Sequence, residues 1–132
     1  MNVLDKVSAK LSQKIFSVSR FFIGLLFFSH GAQKLFGMFG GHSTGGSKEM
    51  LIAGIIEFFG GLLFALGLET RYIAIITACE MAFAYITVHS HMGRFPIQNG
   101  GELALLYFFF FLFTIVNGGG AWSVDSLILK KK

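Results

Sequence analysis

Charged residues are scarce in this 132-residue sequence: they form 14% of the chain, whereas hydrophobic residues form 54%. A soluble domain carries roughly a quarter of its residues as charged side chains. The mean hydropathy of +0.68 is also typical of a chain that lies in lipid. The shortage of charge therefore argues against a soluble enzyme and predicts a single integral membrane domain.

Cysteine and proline each occur once. A lone Cys79 excludes a disulfide or a thiol-exchange pair within the chain, and its neighbours Ala78 and Thr77 predict a small buried thiol. The sequence has no glycine-rich phosphate loop, dinucleotide fingerprint or Ser-His-Asp order. A net charge of +4 does not favour a nucleic-acid partner. No cofactor is therefore encoded by a recognisable motif.

Four apolar runs are long enough to be membrane spans, at about residues 17–38, 49–68, 71–91 and 101–116. About 20 helical residues cross the hydrocarbon core, so the last run is short enough to need its neighbours. The runs predict an all-α membrane protein, a four-helix transmembrane bundle that occupies residues 17–132.

The first 16 residues have a different pattern. Apolar residues recur at three- and four-residue steps, and lysines fill part of the remaining circumference. This pattern predicts an N-terminal amphipathic interfacial helix over residues 1–16, lying on an anionic leaflet. The apolar positions are Val3, Val7, Leu11, Ile15 and Val18.

Lysine and arginine are concentrated at one end of the predicted spans. By the positive-inside rule, this end faces the cytoplasm, so both termini are expected there in a multi-pass inner-membrane protein. The opposite end has Lys48 and Arg94. The cations at the first end are Lys6, Lys10, Lys14, Arg20, Arg71 and Lys130–Lys132.

Several ionisable residues interrupt the apolar runs, although each costs roughly 2.5–3.5 kcal/mol on insertion scales. His30, Gln33 and Lys34 share one flank of the first span by their helical spacing. Estimated depths pair His30 with Glu57, and Lys34 with Glu102. We therefore expect an outward-opening polar pocket within the bundle, lined by His30, Gln33, Lys34, Glu57, Glu80, Tyr85, His89 and Glu102.

Three other interpretations of these residues stay open. Buried ion pairs can simply fix helix packing, without ligand or chemistry. A metal site could form from His30, Glu57, Glu80 and His89, although no Glu-x-x-His pair occurs. Haem ligation by His30 and His89 is a weaker alternative, because their estimated depths differ.

Five segments resemble the DoxX family of bacterial membrane proteins, and together they extend over nearly the whole chain from Arg20 to Asp125. They occur in the order SHGAQKLFGMFGG, IIEFFGGLLFALGLETR, EMAFAYITVHS, FPIQNGGELALLY and WSVD. The resemblance implies a four-helix bundle in the bacterial inner membrane. The positions that match its motifs are His30, Gln33, Lys34, Glu57, Glu80, His89, Asn99 and Glu102.

The family is associated with quinone-linked sulfur oxidation and, in some relatives, with oxidative-stress and thiol-redox complexes. This implies a quinone- or small-ligand-binding subunit that serves a redox partner. His30 or Lys34 would donate to a quinone carbonyl, and Glu57 or Glu80 would exchange the proton. Gln33, Tyr85, His89, Asn99 and Glu102 would also bind the ligand.

The alternative is a structural or assembly protein whose polar core only orders the helices. A transporter is disfavoured by the absence of an inverted repeat. A homo-oligomer is expected to use the glycine-rich second span as a contact.

Overall fold

The computed structural model describes residues 2–41 and 47–129, and every regular element in these ranges is helical. The all-α prediction is therefore confirmed. A π-helical turn at Tyr85–His89 continues α3. The helices are α1 (Val3–Phe36), α2 (Lys48–Leu66), α3 (Thr70–Ala84), α4 (Pro96–Asn99), α5 (Glu102–Asn117) and α6 (Val124–Leu129).

Within the described ranges, three helical segments are long and apolar enough to cross a membrane: α1, α2, and α3 together with its π-helical turn. The fourth long helix, α5, has 16 residues and is the short one, as the sequence predicts. It packs along α3. The outward faces of the bundle carry large exposed apolar side chains such as Phe22, Phe59 and Phe109, which suit contact with lipid.

The first helix does not break where the sequence predicts a boundary between an interfacial segment and the first span. It is a single α-helix of 34 residues. Its first glycine is Gly24 and it contains no proline, so nothing near residue 16 interrupts the backbone. Asn2 and Asp5 form a capping box at its start, and Gly37, with φ of 66°, ends it two residues before the predicted limit.

The core lies between two helix pairs, α1 with α2 and α3 with α5. Phe111 of α5 is fully buried at its centre. The ring centroid of Phe111 lies 5.0 Å from that of Phe27 on α1 and 5.0 Å from that of Phe64 on α2. Both contacts are edge-on, the favoured geometry for aromatic pairs. These rings join the two helix pairs.

Small residues allow α1 and α2 to approach closely. A Cβ placed on Gly24 would lie 2.5 Å from the backbone nitrogen of Ala65, and one placed on Gly61 would lie 2.8 Å from the carbonyl oxygen of Gly24. The glycines of the second span therefore do serve close helix contact, as predicted. Because Gly61 is buried against α1, this face of α2 is not free for a contact between copies.

We expect Gly61→Ala to lower the free energy of unfolding by about 1–3 kcal/mol, because the new methyl group overlaps the α1 backbone. Thermal unfolding in detergent measures the loss. Gly60→Ala on the same helix is the matched control, since the Cβ there would meet only side-chain methyl groups of α3, 3.2 Å from that of Thr77 and 3.9 Å from that of Ile73. Equal effects of the two substitutions would contradict the tight α1–α2 contact.

At the end of the bundle where α2 finishes, the Arg20 side chain is 1% exposed and binds only carbonyl oxygens. Its Nη1 donates to Phe64 and Ala65, Nε donates to Gly119 at 2.7 Å, and Nη2 donates to Trp122 at 2.8 Å. The last carbonyls of a helix have no partners within the helix. Arg20 therefore closes the end of α2 and holds the segment before α6 against it.

Asp125 holds α6 to the start of α3. One carboxylate oxygen accepts from the backbone N–H of Glu69 at 2.8 Å. The other accepts from the N–H of Thr70 at 2.9 Å and from its hydroxyl at 2.6 Å. A carboxylate at a helix N-terminus satisfies unpaired donors and faces the positive end of the helix dipole.

Candidate functional site

A buried ion pair joins α1 to α2. Glu57 is 2% exposed, and its Oε1 accepts a hydrogen bond from Nζ of Lys34. The sequence pairs Glu57 with His30 and Lys34 with Glu102 by height. The predicted pairing of Glu57 with His30 is wrong. Lys34 lies about one helical turn from His30, roughly 5 Å along the axis, and its long side chain extends over this distance to reach Glu57.

A second carboxyl group adjoins this pair. Glu80 of α3 lies close enough to Glu57 and Lys34 to interact electrostatically with both. The Oε2 atoms of Glu57 and Glu80 are buried and have no hydrogen-bond partner among the described residues. A buried acceptor without a partner costs about 1–3 kcal/mol. The carboxyl groups of Glu57 and Glu80 therefore have hydrogen-bonding capacity that a ligand can fill. Together with Lys34 they are hereafter the central cluster.

His30 and Tyr107 border the central cluster. The ring centroids of His30 and Tyr107 lie 6.0 Å apart in an edge-on contact. His30 interacts electrostatically with Lys34, and Tyr107 with Glu57. Sequence reasoning missed Tyr107, although it is a polar position between the apolar runs of α5. All four long helices thus contribute a polar residue to this region.

A separate polar cluster lies where the π-helical turn meets α4. The rings of Tyr85 and His89 stack at 6.3 Å. Nδ1 of His89 lies 3.0 Å from the carbonyl oxygen of Asn99, so this nitrogen carries the proton in the bond and Nε2 remains for another partner. The Asn99 amide nitrogen donates to the Tyr85 hydroxyl at 3.4 Å. Tyr85, His89 and Asn99 are hereafter the loop cluster.

Glycine is required beside the loop cluster. A Cβ on Gly101 would lie 2.6 Å from a ring carbon of Tyr85. The Gly101 N–H donates to the side-chain oxygen of Asn99 at 2.8 Å, which fixes the orientation of the amide. The π-helical turn, a feature often found at functional sites, ends at His89.

The structure divides the predicted pocket rather than assembling all its residues. Lys34, Glu57 and Glu80 come together, and Tyr85, His89 and Asn99 come together elsewhere. Glu102 is exposed in the first turn of α5, and Gln33 lies beside Gly41. The depths estimated from the sequence did not separate these two groups, because they assume parallel helices and so ignore the angles at which the helices cross.

A groove of about 1120 Å³ runs between α2 and α3 and connects the two clusters. Lys34 and Glu80 of the central cluster line it, and so does His89 of the loop cluster. Its remaining walls are mostly apolar. They are formed by Ser47, Glu49, Met50, Ile52, Ala53, Ile56, Ile75, Ile76, Cys79, Phe83, Ala84, Thr87 and Val88.

Cys79 lies on the wall of this groove and is exposed, so the prediction of a buried thiol is wrong. The buried face of α3 is formed by Ala74, Thr77, Ala78 and Met81. Cys79 falls on the opposite side of the helix together with Ile75 and Ile76. Composition around the residue could not reveal which side of α3 faces its neighbours.

Across residues 2–41 and 47–129, no three His, Cys, Asp or Glu side chains are grouped so that they could hold a metal ion. His30, Glu57, Glu80 and His89 therefore do not form the metal site considered as an alternative. The described site offers an ion pair, unpartnered carboxylate oxygens and an apolar groove.

Comparison with known proteins agrees with the resemblance to the DoxX family. An uncharacterized protein of Haemophilus influenzae is 42% identical over 119 residues, which are 85% of this chain and 89% of that relative. A protein of Bacillus subtilis named "Putative oxidoreductase CatD" is 28% identical over 118 residues, 86% of each chain. No solved structure matches the chain.

The family model described as DoxX matches residues 15–90. This range contains the whole central cluster together with His89, and it ends before Asn99, Glu102 and Tyr107. The match extends over more than half of the chain and includes the residues that form the ion pair. The chain belongs to the DoxX family of membrane proteins.

Proposed function

We propose that this chain is a quinone-binding subunit of a membrane redox system. The observation that carries the proposal is the pair of buried, unpartnered carboxylate oxygens on Glu57 and Glu80, next to an apolar groove that Glu80 lines. Membership of the DoxX family and the similarity to a relative named as an oxidoreductase support it.

The residues of the groove suit an amphiphile with a polar ring and an apolar chain. Ile52, Ile56, Ile75 and Ile76 provide apolar walls for the chain. Lys34 is a hydrogen-bond donor for a carbonyl oxygen, and Nε2 of His89 is an acceptor for a hydroxyl group. His30 does not line the groove, so Lys34 is the donor we favour of the two that the sequence suggests.

A bound quinone would supply two-electron, two-proton redox chemistry. Within the chain, Glu80 lies at the groove and can exchange a proton with a ligand oxygen, and its charge interacts with Glu57 and Lys34. Glu57, which is paired with Lys34, lies beside Glu80 as a second carboxyl group of the proposed site. The electrons would come from a partner protein.

The single cysteine allows a direct test of binding. We expect decylubiquinone to slow the alkylation of Cys79 by N-ethylmaleimide several-fold, because an occupied groove covers the thiol. In the Glu80→Gln variant we expect higher quinone concentrations to be needed for the same protection. Mass spectrometry of the purified protein in detergent follows the alkylation rate.

The control places a cysteine away from the groove. Val116→Cys in a Cys79→Ser background lies on α5, where Val116 is 75% exposed. Its alkylation rate should not change with quinone. Cys79 alkylation at the same rate with and without saturating quinone would refute the proposed site.

A structural role is the second candidate, and the Lys34–Glu57 pair favours it because the pair ties α1 to α2. If the polar core only fixes packing, quinone gives no protection at Cys79. Removing both charges would then change stability alone.

A further inference from the structure

The N-terminal part of α1 continues past the end of α2 into water. Arg20 is level with the end of α2, since it binds the carbonyl oxygens of Phe64 and Ala65. Residues 17–36 account for about 30 Å of helix, which equals the hydrocarbon thickness, and the interfacial layer adds about 5–7 Å on each side. With α1 along the membrane normal, residues 3–12 lie beyond that layer. Every one of them is exposed.

An apolar stripe runs along α1 from this extension into the membrane span. Its members lie within an arc of about 80° at 100° per residue, and each is at least 43% exposed. Gly24 and Phe27, which are buried in the bundle, lie on the opposite side of α1. The stripe, hereafter the α1 seam, is formed by Leu4, Val7, Leu11, Ile15, Val18 and Phe22.

The spacing of the α1 seam is that of a helix-packing repeat. The first three seam residues are followed 11 positions later by the other three. An 11-residue repeat corresponds to about 3.67 residues per turn, which is close to the value of about 3.6 for a straight helix. The seam therefore stays on one side of α1, and two such helices can pack along all of it with little supercoiling.

Lipid and a soluble partner would each cover only part of the α1 seam. Acyl chains can cover Val18 and Phe22 in the span, but they do not reach Leu4 and Val7 in water. A soluble protein can cover Leu4 and Val7, but it does not enter the hydrocarbon. A second copy in the same orientation presents the same seam on both sides of this boundary and covers all of it. The apolar side chains in water provide the driving force, since lipid provides no hydrophobic drive between helices.

The two borders of the α1 seam are complementary in a parallel pair. Lys10 and Lys14 follow one border, and Ser8 and Ser12 follow the other. When a two-fold axis parallel to α1 relates the copies, the lysine border of one copy faces the serine border of the other, so the lysine rows do not oppose each other. Ser8 and Ser12 also line a shallow groove of about 390 Å³. The aliphatic stem of Lys10 from the other copy can pack there.

We propose that this chain forms a parallel homodimer in which the α1 seams of two copies pack against each other. The contact begins in water at Leu4 and continues into the hydrocarbon at Phe22. It uses the outward face of α1, because the small residues of α2 already contact α1 within one copy. This proposal does not depend on quinone binding.

Single cysteines test the proposal in membranes that contain the full protein. Val7→Cys, Leu11→Cys and Val18→Cys are each made in a Cys79→Ser background, and copper phenanthroline oxidises the thiols. A disulfide requires Cα atoms within about 7 Å, and in a parallel pair each seam position meets the same position of the other copy. We expect each seam variant to form a disulfide-linked dimer at least about tenfold faster than Ala9→Cys. Non-reducing gel electrophoresis over time measures the rates.

Ala9→Cys is the matched control, because Ala9 is exposed, lies between Val7 and Leu11 in height and points to the opposite side of α1. Equal rates at Ala9 and Val7 would indicate random collision and would overturn the proposal. Absence of linkage at the seam positions would also overturn it. Linkage at Val7 without linkage at Val18 would confine the contact to the extension, which contradicts a continuous seam.

A second variant tests whether the part of the seam in water drives the contact in the membrane. Leu4→Ser with Leu11→Ser should slow the linkage of Val18→Cys at least about fivefold, because the apolar contact in water is lost. Both leucines are largely exposed within one copy, so the fold should tolerate the change. Ala9→Ser with Gln13→Ser, on the other side of the helix, should leave the rate unchanged. An unchanged rate in the first variant would overturn the proposal.

Discussion

Arg20→Met is expected to lower the free energy of unfolding by about 3–5 kcal/mol, the largest loss that we predict for a single substitution. Methionine fills much of the same space but donates no hydrogen bond. The carbonyl oxygens of Ala65 and Gly119 would then lose the donor that Arg20 provides, and that of Phe64 would keep only the N–H of Gly67. The cost is high because the Arg20 side chain is 1% exposed, so little water can replace it.

A lysine at position 20 shows how much of the stability depends on the positive charge and how much on the shape of the guanidinium group. Arg20→Lys keeps the positive charge but replaces a planar group with five donors by a single ammonium with three. It cannot reach all four carbonyl oxygens, so we expect an intermediate loss. Unfolding in detergent, followed by circular dichroism during a denaturant titration, measures all variants on one scale.

Arg71→Met is the matched control for Arg20→Met. Arg71 lies at the same end of the bundle, but it is exposed, and its Nη1 donates to Ile115 at 2.8 Å. Loss of this exposed interaction should cost less than about 1 kcal/mol. Similar losses for the two methionine variants would show that burial of the Arg20 guanidinium does not determine the stability of this end.

Lys34→Met is expected to be the second most damaging change, with a loss of about 2–3 kcal/mol, because it leaves the buried Glu57 without its counter-charge and its hydrogen-bond donor. Glu57→Gln should cost less. The Lys34 side chain is 24% exposed, so the ammonium can still reach a polar environment when its partner is neutral. The same unfolding titration measures both single variants.

The double variant Lys34→Met/Glu57→Gln should be more stable than Lys34→Met alone, because no unpaired charge remains buried. A coupling energy of at least 1 kcal/mol in this cycle is the expected result. Additive losses would contradict a direct interaction between the two residues.

The same double variant separates the two proposed roles of the polar core. If the core only fixes packing, a stable double variant behaves as the wild type in the cell. If the chain binds quinone through Lys34 and Glu80, the stable double variant loses quinone protection at Cys79. Restored stability combined with unchanged protection would remove Lys34 from the binding site.

The apolar runs predict the fold well, because the length and composition of a membrane span are properties of the local sequence. They indicate the short fourth helix and the glycine contacts of α2. They do not indicate that α1 continues through residue 16, since amphipathic and fully apolar segments can belong to one helix when no glycine or proline separates them.

The candidate site could be predicted only in part. Lys34, Glu57 and Glu80 stand out because charge inside a span requires a partner. The identity of the partner depends on side-chain reach and helix crossing, so the His30–Glu57 pairing is wrong. The exposure of Cys79 and the burial of Tyr107 likewise depend on which face of each helix points into the bundle. The faces of these apolar helices have similar polarity, so the sequence does not show which one is buried.

The short α5 also affects the surrounding bilayer. Its 16 residues extend about 24 Å along the helix axis, whereas the 19 residues of α2 extend about 28 Å. The molecule therefore presents hydrophobic surfaces of unequal height on different sides. Lipids next to α5 must thin, or the whole bundle must tilt, to avoid hydrophobic mismatch. Either response gives the protein a preference among membranes of different thickness.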